Sequence, residues 1–199
     1  MVSVYRRCAL RVFGAFRTVS YEAACVVARI PPIELIVDER SSSYNSADYI
    51  TRDELRKETI RKCQRRWNMA FSGRWTHRLV PNIEAWVNRN HVEVDYYITQ
   101  LITGHGRFRT YQYRFKFDET GECPLRPRTE ESAEHVFFFC HRFHEERRDF
   151  RRVCGSDPTA DNIVNIMLLD QDYWMAGQRF AAQAMQKLRN DERDRRTRR

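Results

Sequence analysis

The sequence predicts a mostly α-helical protein, an irregular assembly of helices around one small loop bearing cysteine and histidine. Three observations predict it. Apolar residues recur at helical spacing along most of the chain. Only 7 glycines and 6 prolines stand among 199 residues, which argues against a β-sandwich or a disordered chain. Helix-starting residues precede the apolar runs at the expected positions. With 42% hydrophobic and 13% aromatic residues the chain can bury a core, in one domain or one and a half.

The elements follow in order. Residues 20–30 (SYEAACVVARI) read as a helix that stops before Pro31-Pro32. A second helix over 32–40 can carry Pro32 in its first turn. The polar run 41–46 reads as a hinge and as an internal boundary. Thr51 and Glu54 form a capping box that opens the clearest helix, about 51–71. On it Leu55, Thr59, Cys63, Trp67 and Ala70 share a stripe, with Ile60 and Phe71 beside them. Lys57, Arg61, Arg65 and Asn68 lie on another face, either a solvated charged surface or a track for phosphates.

Gly73 ends that helix, and two short helices are expected over 82–90 and 94–103. Gly104-His105-Gly106 reads as a tight turn, with His105 capping or exposed rather than catalytic. Residues 107–117, RFRTYQYRFKF, alternate basic and aromatic side chains with no acid among them. Period-two alternation is compatible with a strand, and a helix followed by extended chain is the other reading. Arg107, Arg109, Arg114 and Lys116 could pair phosphates while the aromatics stack on bases; alternatively the aromatics face the core. Further on, Phe143, Arg147 and Phe150 share a face of a short charged helix. Residues 158–161 start another that runs through 163–169. A last helix begins at Gln171 or Asp172, with Tyr173, Gly177, Phe180, Ala184 and Leu188 on one stripe. Its end, RNDERDRRTRR, reads as a charged tail that frays.

Charge and cysteine usage bound the function. The net charge of +8 lies wholly at the two ends, +4 over residues 1–17 and +4 over 187–199, so the chain between them is balanced. Six scattered cysteines form no disulfide framework and fit a reducing, intracellular compartment, nucleus or cytoplasm. No apolar run reaches membrane-spanning length. The arginine-bearing first twenty residues resemble a presequence only superficially, since Arg11 and Arg17 interrupt any apolar core.

One constellation carries possible metal chemistry. Cys123, His135 and Cys140 have the spacing of a C-x-x-C followed by H-x4-C, which would give a tetrahedral zinc four ligands. Arg126 occupies the second cysteine position, and a guanidinium has no lone pair to offer. Three ligands remain, so zinc is expected to be held feebly at most, with His141 or His144 the only nearby substitutes. Other chemistries find no support. The chain has no Asp-Asp pair, no glycine-rich phosphate loop, no G-x-S-x-G and no H-E-x-x-H. Asp170-Gln171-Asp172 sits at a helix boundary and reads as a cap.

The pattern C-x-x-C, eight residues, H-x4-C-x-R-F resembles the zinc knuckle near the C-terminus of non-LTR retrotransposon reverse transcriptases, in particular of arthropod elements. Other segments resemble the same family in the same order: Phe16-Arg17-Thr18-Val19-Ser20, Ala23-Ala24-Cys25, Pro31-Pro32-Ile33, Gly73-Arg74-Trp75-Thr76, Leu79-Val80-Pro81, Trp86, and 100–106 (QLITGHG). The departures are Arg126, and His141 where the family usually has proline. The resemblance covers roughly residues 10–150 and implies four parts: 1–45, helices that follow a polymerase core; 46–117, a helical linker; 118–144, a degenerate zinc knuckle; 145–199, C-terminal helices and a basic tail. It implies a truncated, non-catalytic piece of an RNA-directed DNA polymerase that grips RNA or DNA beside a missing polymerase domain. The residues assigned to nucleic acid are Arg61, Arg65, Arg107, Arg109, Arg114 and Lys116. A reading of another class is a small helical protein–protein interaction module without nucleic-acid binding, favoured by the balanced charge of 18–186.

Overall fold

The computed structural model describes residues 1–45, 51–89 and 93–197. Its packing divides the chain into two compact units, Met1–Asn90 and His91–Arg199. The described residues are mostly helical, with a single two-stranded sheet.

Among its described residues the first unit holds six helices: α1 (Val2–Val12), α2 (Tyr21–Val27), α3 (Ile33–Asn45), α4 (Arg52–Met69), α5 (Arg74–Leu79) and α6 (Ile83–Val87). Ser20 caps α2, its hydroxyl accepting the Ala23 backbone N–H. The capping box of α4 is present in full, Thr51 accepting from the Glu54 backbone and Glu54 from that of Thr51. Thr59, Cys63 and Trp67 are the buried residues of α4. Two tryptophans bind the unit by apolar bulk and by one polar atom each. Trp67 Nε1 donates to the Val80 carbonyl and Trp86 Nε1 to the Val26 carbonyl, both at 2.9 Å. Both rings are buried, where an indole N–H needs such a partner.

Three expectations change here. The polar run 41–45 is the last part of α3, not a hinge; Ser46 lies outside the described residues. Phe71, placed beside the core stripe of α4, is fully exposed, because α4 ends at Met69 and Ala70 turns extended. Helix α1 has no counterpart in the sequence reading. It buries only Ala9 and Leu10, too weak an apolar face to announce itself.

The second unit holds α7 (Tyr96–Thr103), α8 (Arg109–Arg114), a hairpin of β1 (Glu122–Cys123) and β2 (Arg126–Glu130), then α9 (His144–Cys154), α10 (Ile163–Leu169) and α11 (Gln171–Thr197). Helix α11 packs on α7, α9 and α10. Its buried side includes the expected Gly177, Phe180, Ala184 and Leu188, and also Trp174. The aromatic core runs from Phe108 to Phe137, from Phe137 to Phe180 and from Phe180 to Phe150, with ring centroids 6.0, 5.3 and 5.8 Å apart.

In this unit one open reading is settled and one expectation is corrected. The alternating stretch 107–117 contains helix α8, as the reading that begins with a helix has it, and no strand, so its basic and aromatic residues do not separate onto two faces. Phe108 is buried, whereas Tyr113 and Phe117 are exposed. The charged end of α11 does not fray within the described residues but stays helical to Thr197; Arg198 and Arg199 lie outside them. Ion pairs hold it: Arg142 to Asp191, Arg107 to Glu192 and Arg195 to Asp118.

Candidate metal centre and nucleic-acid surface

The loop that begins at Gly121 places its donors by backbone geometry. Cys123 and Arg126 are paired across the hairpin, so the two positions of C-x-x-C face one another around Pro124-Leu125. Cys123 receives backbone N–H groups of Leu125 and Arg126 on its sulfur, although burial, the larger effect, still pushes its thiol up. His135 and Cys140 are joined by one wide helical turn, His135–Phe139, closed by the Cys140 N–H donating to the His135 carbonyl at 2.7 Å. Residues five apart fall on different faces of an α-helix at 3.6 residues per turn. An i→i+5 turn instead returns Cys140 over His135, which is how H-x4-C can serve one ion. Val136 and Phe137 anchor this turn in the core, while Phe139 is 60% exposed.

The result is a convergent, buried donor set. The ligand atoms of Cys123, His135 and Cys140 all lie within 4.8 Å of one another. The two sulfurs are 3.8 Å apart, and both thiols are free. His135 Nε2 is buried without a hydrogen-bond partner. Burial pulls the His135 pKa down, and the charges of Arg142, Arg126 and Arg147 add to the effect. The imidazole is thereby kept neutral, the form that ligates a metal. Two sulfurs and one imidazole suit zinc or another soft cation, with one position left over. Nothing among the described residues supplies it. Arg126 is exposed, and His141 and His144 are exposed outside the cluster.

Arginines brace the loop. Arg147 donates to the carbonyls of Val136, Phe137 and Cys140, satisfying the last turn of the wide helix. Arg142 bridges the fully buried Glu131 carboxylate and Asp191 of α11. Burial raises the Glu131 pKa, and the Arg142 charge opposes it. Sequence reasoning quoted Arg142 within C-x-R-F but assigned it nothing. Its partners lie 11 and 49 residues away, beyond any local pattern.

The six residues assigned to nucleic acid fall two in the first unit and four in the second, and they differ in exposure. Arg61 and Arg65 both pair with Glu58 on an exposed face of α4. Arg109 is buried, donating to Asp118 and to the Glu122 carbonyl, so it holds the hairpin. Burial pushes the Asp118 carboxyl up, but the hydrogen bond and charge of Arg109, with the Glu119 N–H and the Arg195 charge, together hold it below the usual carboxylate range. Arg107 pairs with Glu192. Arg114 and Lys116 are exposed. Of the residues outside the sites, Asp170 Oδ1 accepts the Asp172 backbone N–H at 2.7 Å, as expected of a cap.

Comparison with known proteins bears on this chain as a whole. It is 24% identical over 151 residues to the retrovirus-related Pol polyprotein from type-1 retrotransposable element R1 2 of Nasonia vitripennis, covering 66% of this chain and 37% of that protein. It is 33% identical over 109 residues to the corresponding R1 polyprotein of Popillia japonica, covering 53% of this chain and 42% of that protein. A further Nasonia vitripennis polyprotein, from element R1 4, is 24% identical over 139 residues. The chain carries a retrotransposon-related region. It spans less than half the length of each of these relatives. No protein-family model and no solved structure matches it. The retrotransposon-related chain thus joins an open Cys/His cluster to a helical unit whose arginines are largely engaged within the fold. Among the described residues, no helix is long and apolar enough to cross a membrane.

Proposed function

We propose that this retrotransposon-related chain is a non-catalytic part of an RNA-directed DNA polymerase polyprotein that grips RNA or DNA through phosphate contacts. The observation that carries the reading is the set of solvent-facing basic side chains in the second unit, Arg114, Lys116, Arg189 and Arg193, in a chain similar to Pol polyproteins. Arg109 plays no part, being buried in its pair with Asp118. Zinc, where present, is held by Cys123, His135 and Cys140, and its role is to fasten the hairpin to the wide turn. The polymerase domain of the same polyprotein is the proposed partner.

Fluorescence anisotropy of a labelled 20-nucleotide single-stranded RNA with the full chain tests the reading. Affinity should fall linearly in log–log form between 50 and 200 mM salt, with a slope of roughly −0.7 per phosphate contact. Flat affinity overturns it. That outcome favours a helical protein-interaction module, a reading supported by the internal pairing of Arg107, Arg109 and Arg142. Primer extension on any template should stay at background, since the sequence has no Asp-Asp pair for two magnesium ions. Incorporation abolished by Asp170→Asn would refute the non-catalytic role.

A further inference from the structure

Two concavities beside the last turns of α11 share Arg107, Gln186 and Arg189 in their walls. The wider, about 440 Å³, is bordered by Arg189, Arg193 and Arg196, with Glu192 as its carboxylate. Glu192 is already engaged by Arg107 and Arg196. Arg189 enters no ion pair among the described residues, and Arg193 reaches only its neighbour Asp194 at 3.9 Å. The wider concavity therefore keeps excess positive charge.

The narrower, about 160 Å³, is bounded by Tyr96, Tyr97, Met185 and Gln100. Gln100 is 0% exposed, and neither its Oε1 nor its Nε2 has a hydrogen-bond partner. An unsatisfied buried polar group costs about 1–3 kcal/mol, and leucine of similar size would avoid that cost. The fold is also shaped around this amide. A Cβ at position 106 would stand 2.1 Å from Gln100 Oε1, so only glycine fits there. A carboxamide presents one donor and one acceptor side by side, the complement of adenine N6 and N7. Tyr96, 47% exposed, and Tyr97 set their rings edge to face with centroids 5.6 Å apart, offering a stacking surface beside it.

We propose that these concavities form one site for single-stranded nucleic acid, with phosphates along Arg189 and Arg193 and an adenine base seated against Tyr96 and Tyr97, its edge read by the unsatisfied Gln100 amide when that side chain turns from Gly106 into the narrower concavity. The proposal rests on the nucleic-acid reading above and adds to it a base preference and a location.

The test compares labelled decamers of rA, rU and rC by anisotropy against the full chain and its variants, each first checked for a cooperative melt. The wild type should bind rA at least fivefold tighter than rU. Gln100→Leu should abolish that preference with the salt slope unchanged. Arg189→Gln with Arg193→Gln should weaken all decamers at least tenfold and reduce the slope by about 1.4, two phosphate contacts for a single strand. Independently of any variant, a decamer carrying 8-azidoadenosine should crosslink to the wild type within residues 94–107. Equal affinity for all decamers, a preference that survives Gln100→Leu, an unchanged slope in the arginine variant, or a crosslink elsewhere overturns the site while leaving salt-sensitive binding intact. Absence of binding to every decamer overturns both the site and the nucleic-acid reading beneath it.

Discussion

Arg126 stands directly across the β-hairpin from Cys123, at the position that a C-x-x-C knuckle gives to its second thiolate. Its side chain is exposed, while Cys123, His135 and Cys140 are buried together. Arg126→Cys should convert a weak site into a structural one. Zinc per chain, by elemental analysis after dialysis against a mild chelator, should rise from well below one to about one, with a higher melting temperature. Structural zinc sites release on the order of 10 kcal/mol on binding, so a gain of even part of that will be visible. One tightly held zinc in the unsubstituted chain would show that three ligands suffice.

The buried pair of Arg142 and Glu131 gives a second prediction. Glu131 is 0% exposed, and its Oε1 has no hydrogen-bond partner in the fold. Removing the arginine leaves an uncompensated carboxylate inside the protein. Arg142→Met should therefore destabilise by about 3–5 kcal/mol in urea unfolding. The double variant Arg142→Met with Glu131→Gln should recover part of that loss, because the buried charge is gone. A double variant no more stable than Arg142→Met would refute the electrostatic account.

The pH dependence of stability provides a third. His105 lies against Tyr111, ring centroids 5.0 Å apart, and burial, reinforced by Arg114, pulls its pKa down to about 4. An unfolded imidazole titrates near ~6.5. The folded value is the lower, so the unfolded chain takes up the proton first as pH falls. The stabilisation is complete above ~6.5 and is lost between there and about 4. Going from pH 7.5 to 5 should remove on the order of 1–2 kcal/mol through this residue, after allowing for partial exposure of the ring. His105→Phe, which keeps an aromatic against Tyr111, should lose that much less over the same interval. Equal losses in both chains would exclude His105.

A fourth concerns the first unit. Gly73 precedes α5 with φ +73°, and a Cβ there would lie 2.9 Å from Ser20 Oγ, 3.1 Å from Ala23 Cβ and 3.2 Å from the Trp67 ring. Gly73→Ala combines left-handed strain with crowding against the α2 cap. It should cost about 1–3 kcal/mol, read from the midpoint of tryptophan fluorescence in urea. A change under ~0.5 kcal/mol would mean that the α2–α5 packing yields more readily than the contact distances imply.

Helices that bury a continuous stripe were legible, because 3.6-residue periodicity and end signals are local. The Thr51–Glu54 box, the Thr59–Cys63–Trp67 stripe and the buried side of α11 were all read from residues within a few turns of one another. The three donors Cys123, His135 and Cys140 were legible for a similar reason: motif spacing is a property of the chain. Helix α1 was missed because two buried residues make no pattern. The run 107–117 was ambiguous because alternation of type does not reveal burial, and Phe108 and Arg109 both go inside while Phe117 stays out.

The sequence by itself therefore determined the helical class, the identity of the candidate metal ligands, and the arginine that interrupts them. Tertiary structure decided which charges are available to a partner. Arg109, Arg107 and Arg142 look alike in sequence to Arg189 and Arg193, yet the first three meet Asp118, Glu192 and Glu131 across separations of 9, 85 and 11 residues. It also decided that Gln100 would lie buried and unsatisfied against Gly106. The physical reason is common to both: an arginine's role is set by whichever carboxylate folding brings within about 4 Å, and an amide's by whether folding supplies it a partner. Neither quantity exists until distant segments have packed.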